Sequence, residues 1–422
     1  MATRETIEVW LDDSSFHSGS VHIGKLYPHD HRTDLPPSFA YEPGWIRHPH
    51  AFQIDPQLPL VPGEHHAQYG SWFGIFLDVA PDRWGRVLME RREALEARDE
   101  SRAMRHLVDL DFMLGVSDLT RTGALRFKTA PGGPFMQPDD LHSVPPITSL
   151  AEIASVARHL EDPHAEDQPE YRQWLAMLMA PGTSLGGARP KATFREQDGQ
   201  LWLAKFPAAN DRHDWGAWEY LTHQLARDCG ITVPRSQLLS LTPGYQTFCV
   251  ERFDRTPTQD PGSPARHLYA SAMTLLSRQD GEPGGSYLDL VQIIETCGSS
   301  TLAADLKELF RRAVFNLLVG NRDDHLRNHG FIATRTGWRL APAFDMNPNP
   351  GKQAHALTWD GRIDIPDLDA LGATHKYYRL NVTDATDIIS EIINTLRDWQ
   401  GKARTLGIAA REIQMMTNVF LV

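Results

Sequence analysis

The sequence predicts an α+β protein in which a β-rich start gives way to a mostly helical C-terminal half. Three observations carry this. "TIEVWLDD" and "SGSVHIGKLY" are short strand-like runs with Gly and Ser between them, the mark of a hairpin. "SLGGARPKATFREQDGQLWLAKFP" (184–207) is a glycine loop followed by two strand-like runs on either side of a QDGQ turn. From "YLDLVQIIETCG" onward helical spacing dominates, interrupted by "VGNRDDHLRNHGF" and the hairpin-like "GFIATRTGWRLAPAFD".

A chain of 422 residues with 41% hydrophobic content is long enough for two or three packed subdomains. With 54 acidic against 42 basic residues the net charge is −12, which disfavours DNA binding by this chain alone. Cys229, Cys249 and Cys297 are widely separated and lack metal-ligand spacing, so they read as reduced thiols of a cytosolic protein. "MATRETIEVWLDD" does not read as a signal peptide, and the most apolar stretches, "SWFGIFLDVA" and "WLAMLMA", are about half the length that spans a bilayer. They are expected to be core segments, and neither export nor membrane insertion is expected.

The elements follow in order. After the first strands, Asp82 is placed to cap a charged, alanine-rich helix, and "RHLVDLDFMLGVSD" predicts another. The Pro- and Gly-rich stretch 129–147 marks a boundary. In "SLAEIASVARHLED", Ser149 and Glu152 have capping-box spacing. "WGAWEYLTHQLARDCG" predicts a helix closed by Gly230, and "FCVERFDR" a strand. The expected division is 1–130, a β-rich start followed by helices; 148–255, with the glycine loop and a lysine-bearing strand; and 256–422, mostly helical.

Phosphoryl transfer needs a carboxylate to orient a hydroxyl, oxygen ligands for a metal, a lysine for phosphates and a backbone-rich loop over them. Each has a candidate. Asp323 fits the base, with His325 beside it as a second catalytic candidate, and Asn328, five positions on, fits a metal ligand. The hairpin between "HGFIA" and "WRLAP" would return the chain so that Asp345 joins Asn328 on one hard cation. Lys205 lies on the second strand after the glycine loop, where a phosphate-pairing lysine belongs. Gly186 and Gly187 allow close approach of backbone N–H groups to phosphate, and Lys191 adds charge. Glu219 is either a partner for Lys205 or a surface glutamate. Glu251 and Phe253 end a strand where a hinge would meet an adenine, although Phe253 taken alone reads as ordinary core.

The ordered set "SLGGARPKA", "LAKFP", "WEYLTHQLARDCGITVP", "VERFDR", "GNRDDHLRNHGF" and "LAPAFDMNP" resembles the HipA-type serine/threonine kinases, toxins of bacterial toxin–antitoxin modules. "GKLY" and "FLDVAPDRWGRVLMERR" resemble that family's N-terminal subdomain, so the likeness covers nearly the whole chain. It implies a bilobal protein-kinase-like fold, dependence on ATP and Mg2+, Asp323 as catalytic base, Asn328 and Asp345 as metal ligands, and ATP contacts from Lys205, Glu251 and Phe253. It further implies Ser184 as an autophosphorylation site on the glycine loop. A small DNA-binding, HipB-like antitoxin and a cytosolic protein substrate such as an aminoacyl-tRNA synthetase are the implied partners, with no direct nucleic-acid contact.

The sequence departs from that pattern in places. The His-x-Glu-Asp segment that many members carry after "VERFDR" is replaced by "HLYASAMTLLS". Arg322 stands in the loop where many relatives have a small polar residue, and Met346 and Asn347 follow Asp345 in place of Phe-Gly. Rival classes are a kinase of a small molecule or lipid, a kinase-fold binding module, and a metal-dependent hydrolase using His325 with the aspartates. The absence of a basic amphipathic helix argues against lipid, the intact Lys205, Asp323, Asn328 and Asp345 against a degenerate module, and the scattered histidines against the hydrolase.

Overall fold

The computed structural model describes residues 6–29, 35–68, 72–137, 144–182, 187–258, 264–282 and 284–422. The chain divides into two compact units. The first comprises Met1–Asn210, Glu251–Ala270 and Ser277–Gln279, and the second Asp211–Val250, Ser271–Leu276 and Asp280–Val422.

The first unit opens with an antiparallel sheet of five strands, β1 (Ile7–Leu11), β2 (Val21–Tyr27), β3 (Ser38–Tyr41), β4 (Glu64–His65) and β5 (Leu125–Lys128), in the order β4-β3-β2-β1-β5. Ile7 pairs with Leu26, and Leu11 with Leu125 on the other side. Four of the five residues of β1 are buried, as expected of a strand covered on both faces, and one of them is Glu8. Its carboxylate is matched by His22 Nε2 at 2.6 Å and Lys25 Nζ at 3.3 Å.

Helices Arg83–Asp99, Asp109–Gly115, Leu150–Leu160 and Tyr171–Gly182 accompany the sheet. Arg83–Asp99 begins where Asp82 accepts a hydrogen bond from the Arg83 N–H at 2.7 Å, as its sequence predicts. Leu150–Leu160 and Tyr171–Gly182 pack together, and the latter also meets the Arg83–Asp99 helix. The capping box expected at Ser149 does not form: a 3-10 turn, Ile147–Ser149, precedes the helix and holds Ser149 at φ −92°, ψ −1°. A cap residue needs extended backbone to aim its hydroxyl at the first N–H groups, and this one is already helical. The unit continues into β6 (Lys191–Arg195) and β7 (Leu201–Lys205), antiparallel, with Lys191 opposite Lys205.

A buried charged hub ties this unit together. Residues 116–124 are all buried although they run as a loop, so their backbone groups need partners that water cannot supply. Arg252 Nη1 donates to Thr120 O at 2.6 Å, Arg255 Nη1 to Gly123 O at 2.8 Å, and Arg266 Nη1 to Asp118 O at 2.8 Å. Asp254 binds Arg252 and Arg255, at 2.7 and 2.8 Å, and accepts from Gly123 N at 2.8 Å. Burial alone would raise the pKa of Asp254; the two guanidinium groups outweigh it and hold the carboxyl well below its usual range.

The second unit is organised around the helix Leu302–Val319, in which every residue from Arg312 to Val319 is buried. Tyr287–Cys297 and Val382–Leu396 pack on it. The helix Trp215–Asp228 starts at Asp214, which caps Ala217 N at 3.1 Å, and stops before Gly230, in left-handed backbone at φ 75°. β8 (Ser236–Leu239) pairs with β9 (Thr247–Glu251), Ser236 opposite Val250. Strands Gly330–Thr334 and Gly337–Leu340 form the expected hairpin, Phe331 opposite Leu340. Among the described residues no helix is long and apolar enough to cross a membrane.

Asp254→Asn leaves two buried arginines short of a counter-charge. Urea denaturation of the full chain should show it less stable by about 3–5 kcal/mol, the cost of breaking one side of a buried ion pair.

Candidate active site

The Leu302–Val319 helix ends at Gly320 in left-handed backbone, φ 68°; a Cβ there would lie 2.5 Å from Val419 Cγ1 and 2.7 Å from Val419 O, so only glycine fits. The loop that follows is built on Asp324, which is buried. Its Oδ2 accepts from Tyr287 Oη at 2.5 Å, Asn316 Nδ2 at 3.1 Å and His329 Nε2 at 3.0 Å. Burial would raise its pKa; the neighbouring His329 and the donated hydrogen bonds prevail and lower it. Asn321 donates to Asn316 Oδ1 at 3.2 Å, bracing the start of the loop.

Asp323, next in sequence, points the other way: its side chain is 58% exposed and pairs with Lys352 Nζ. Asn328 donates to the backbone oxygen of Asp323 at 3.3 Å, so the two candidates share one turn. His325 is exposed, and its carbonyl accepts from Asn328 N at 2.8 Å at the start of the 3-10 turn Leu326–Asn328. The hairpin begins at Gly330, and Ala341 N donates to Gly330 O at 2.9 Å, so Asn328 and Asp345 leave the hairpin from the same end. Asp345 is half-buried, with φ 56°, a conformation that non-glycine residues adopt at some energetic cost and that recurs at functional sites.

The other candidates lie in the first unit. Gly187 has φ 102°, and a Cβ on it would come within 3.0 Å of Lys191 Nζ, which donates to Gly187 O at 2.9 Å. Gly187 N donates to the Asp82 carboxylate, and Trp84 N to Gly187 O at 3.4 Å, so the end of the glycine loop is bound to the start of the Arg83–Asp99 helix. Lys191 is buried, and Lys205, directly opposite, is half-buried. Arg252 N donates to Leu201 O at 2.9 Å, which sets the Glu251–Phe253 stretch beside β7. Glu251 and Phe253 are half-buried, and the Phe253 ring lies 6.0 Å from that of Tyr269. Glu219, in the second unit, is buried in the Trp215–Asp228 helix and is not a surface glutamate. Ser184 and Gly186 fall outside the described residues.

Tyr287, Asn316, Asp324 and His329 were not singled out from sequence, although they hold the loop. Asn316 carried a signal: an amide in the apolar run "AVFNLLV" must find a buried partner. Elsewhere, Glu8, His22 and Glu42 bring ligand-capable atoms within 4.8 Å of one another. There Lys25, 3.3 and 3.5 Å from the two carboxylates, already supplies the cation.

A hairpin bearing paired lysines, and a loop whose Asp and Asn feed a second hairpin ending in Asp, define a kinase-like class of fold. The chain belongs to the HipA-like C-terminal domain family, whose model matches residues 183–400, a little over half of its length. It is 27% identical over 230 residues to the serine/threonine-protein kinase toxin HipA of Shewanella oneidensis, covering 48% of this chain and 50% of that one. It is 26% identical over 236 residues to the protein Y4dM of Sinorhizobium fredii, covering 51% and 56%. The chain thus spans about half the length of these relatives. Its fold matches that of HipA in the complex of HipA, HipB and operator DNA from Shewanella oneidensis, with a TM-score of 0.69 over 98% of this chain and 94% of that one, at 19% identity.

His355 braces the same loop, its Nδ1 lying 3.2 Å from Asn321 O. Burial lowers its pKa from 6.5 to about 4. An unfolded chain takes up that proton first, so this contribution to stability is complete above pH 6.5 and is lost as pH falls toward 4. The loss should reach roughly 3 kcal/mol. Denaturation at pH 7.5 and pH 5 should show a smaller difference for His355→Asn than for the parent chain.

Proposed function

We propose that the chain is an ATP- and Mg2+-dependent serine/threonine protein kinase, the toxin of a toxin–antitoxin module. The observation that carries the reading is the loop in which a buried carboxylate, Asp324, fixes Asp323 and Asn328 at the mouth of a hairpin that returns Asp345 to the same end.

The residues present fit the groups the reading requires. Asn328 and Asp345 offer hard oxygen donors, the type Mg2+ takes. Mg2+, when bound, offsets the charge on the phosphate oxygens during transfer. Lys191 and Lys205 stand opposite each other across two strands, two positive side chains of the type that takes phosphate oxygens. Gly187, with no Cβ and φ 102°, leaves its stretch of backbone open to close approach. Glu251 and Phe253 are assigned to the adenine. Asp323, exposed at the loop surface, orients the substrate hydroxyl and accepts its proton. His325, exposed two residues on, is assigned to the substrate side of that loop.

Ser184 is proposed as the autophosphorylation site. A phosphate there brings a charge of about −1.5 to −2 close to the nucleotide's own phosphates, which turns the enzyme off by repulsion. The proposed partners are a small DNA-binding, HipB-like antitoxin, which fits the likeness to a HipA chain solved with HipB and operator DNA, and a cytosolic protein substrate such as an aminoacyl-tRNA synthetase. With a net charge of −12, contact with DNA is left to the antitoxin.

The test is incorporation of label from γ-32P-ATP with Mg2+ into the chain and into lysate proteins. Asp323→Asn and Asp345→Ala should each lose at least about 100-fold of wild-type labelling, the scale of a lost general base or metal ligand. Mass spectrometry should find the wild-type label on the Ser184 peptide. A wild type that binds ATP and labels no protein would leave a small-molecule kinase or a binding module as the better account.

A further inference from the structure

Lys352 is paired with the exposed carboxylate of Asp323, and the chain goes to some length to put it there. Arg322, the residue before Asp323, is only 7% exposed. Its Nη1 donates to Asn349 O at 3.2 Å and to Lys352 O at 2.7 Å. Asn349 N donates in turn to Gly320 O at 2.9 Å, and Asn349 Oδ1 accepts from Gly351 N at 2.9 Å. The stretch from Asn349 to Lys352 is thereby fastened to the Gly320–Asp323 loop at both of its ends, and the Lys352 side chain is left 47% exposed. An ion pair between side chains this exposed contributes at most about 1 kcal/mol. The stability of this pair therefore does not account for the ammonium being set against Asp323.

We infer that Lys352 is a catalytic residue that contacts the phosphoryl group in flight, so that Arg322 acts as its positioning residue. This rests on the reading of Asp323 as the base. In the reaction, the hydroxyl oxygen of the substrate bonds to the γ-phosphorus of ATP while the bond from that phosphorus to the β,γ-bridging oxygen breaks. The bridging oxygen leaves with the electron pair on ADP, and the hydroxyl proton passes to Asp323. A hydroxyl held by Asp323 lies about 3 Å from its carboxylate, and the phosphorus about 3–3.5 Å beyond that oxygen. The Lys352 ammonium rests at Asp323 Oδ1 on a flexible four-carbon stem, and rotation about that stem swings it toward the phosphoryl group. Its charge then meets the oxygens on which charge accumulates, where a preorganised cation is most effective. In the resting chain the same ammonium holds Oδ1 and leaves Oδ2 to take the proton.

The test compares wild type, Lys352→Met and Lys352→Arg in steady-state phosphorylation and in binding of two ligands, a non-hydrolysable ATP analogue and ADP with aluminium fluoride. Lys352→Met should lower kcat about 100-fold and keep the KM for ATP within about twofold, since only the transferring group loses a contact. Binding of ADP–aluminium fluoride should weaken in parallel with kcat while the ATP analogue binds as before, and Lys352→Arg should restore most of both. A Lys352→Met chain that turns over as fast as wild type, or faster, overturns the inference and makes the pair idle or inhibitory. Equal weakening of both ligands also overturns it. A wild type that phosphorylates nothing removes the role of Asp323 and the inference with it; activity that survives Lys352→Met removes the inference alone.

Discussion

Charge placed where water cannot reach it must be matched by protein, and in each unit of this chain a buried carboxylate at the centre of a loop's bonds meets that constraint. Asp254 does so among arginines, and Asp324 does so with a tyrosine, an asparagine and a histidine. Burying such a group without partners costs several kcal/mol. Every segment that contributes a donor is therefore held to its place. For Asp324 those segments are the helix Tyr287–Cys297, the core helix Leu302–Val319 and the end of the loop at His329. The loop thus has little freedom in its backbone although it is short, polar and next to solvent.

The hub around Asp254 explains a motif differently from its first reading. In "VERFDR", Glu251 and Phe253 suit a strand end that meets a nucleotide edge. The arginines and the aspartate between and after them carry the packing: the arginines satisfy the carbonyls, and the aspartate the Gly123 N–H, of a buried loop that lies about 130 residues earlier in the chain. Arg121 adds to this, its Nη1 and Nη2 donating to Met113 O at 2.5 Å and Val116 O at 2.8 Å. A string of alternating charges in a sequence normally signals a solvated turn, and here Arg252, Asp254 and Arg255 are buried.

What could be read from the sequence was local. The hairpin after Asn328, the stop at Gly230, the start at Asp82 and the lysine-bearing strand all follow from residues within a few positions of one another. The family could be recognised because its motifs are local strings in a fixed order. The Ser149 box failed because its spacing was right and its backbone was not; a 3-10 turn entered from Pro146 decided the matter. The partners of Asp324, the clamp of Arg322 on residue 352 and the burial of Glu219 depend on pairings between distant segments, and no periodicity encodes them. Arg322 was visible as an unusual residue, yet its consequence needed the return of the chain from the hairpin.

Asp323 and Asp324 are chemically identical and adjacent, and the loop turns one to solvent and the other to the core. Their tolerance to substitution should therefore separate cleanly. A library read out by protein abundance in cells would register changes at 324 and pass over those at 323, whereas the function of the loop depends on both. An assay of quantity alone would miss the residue on which the chemistry is proposed to turn, and the difference between the two readouts at neighbouring codons would mark the boundary between scaffold and site.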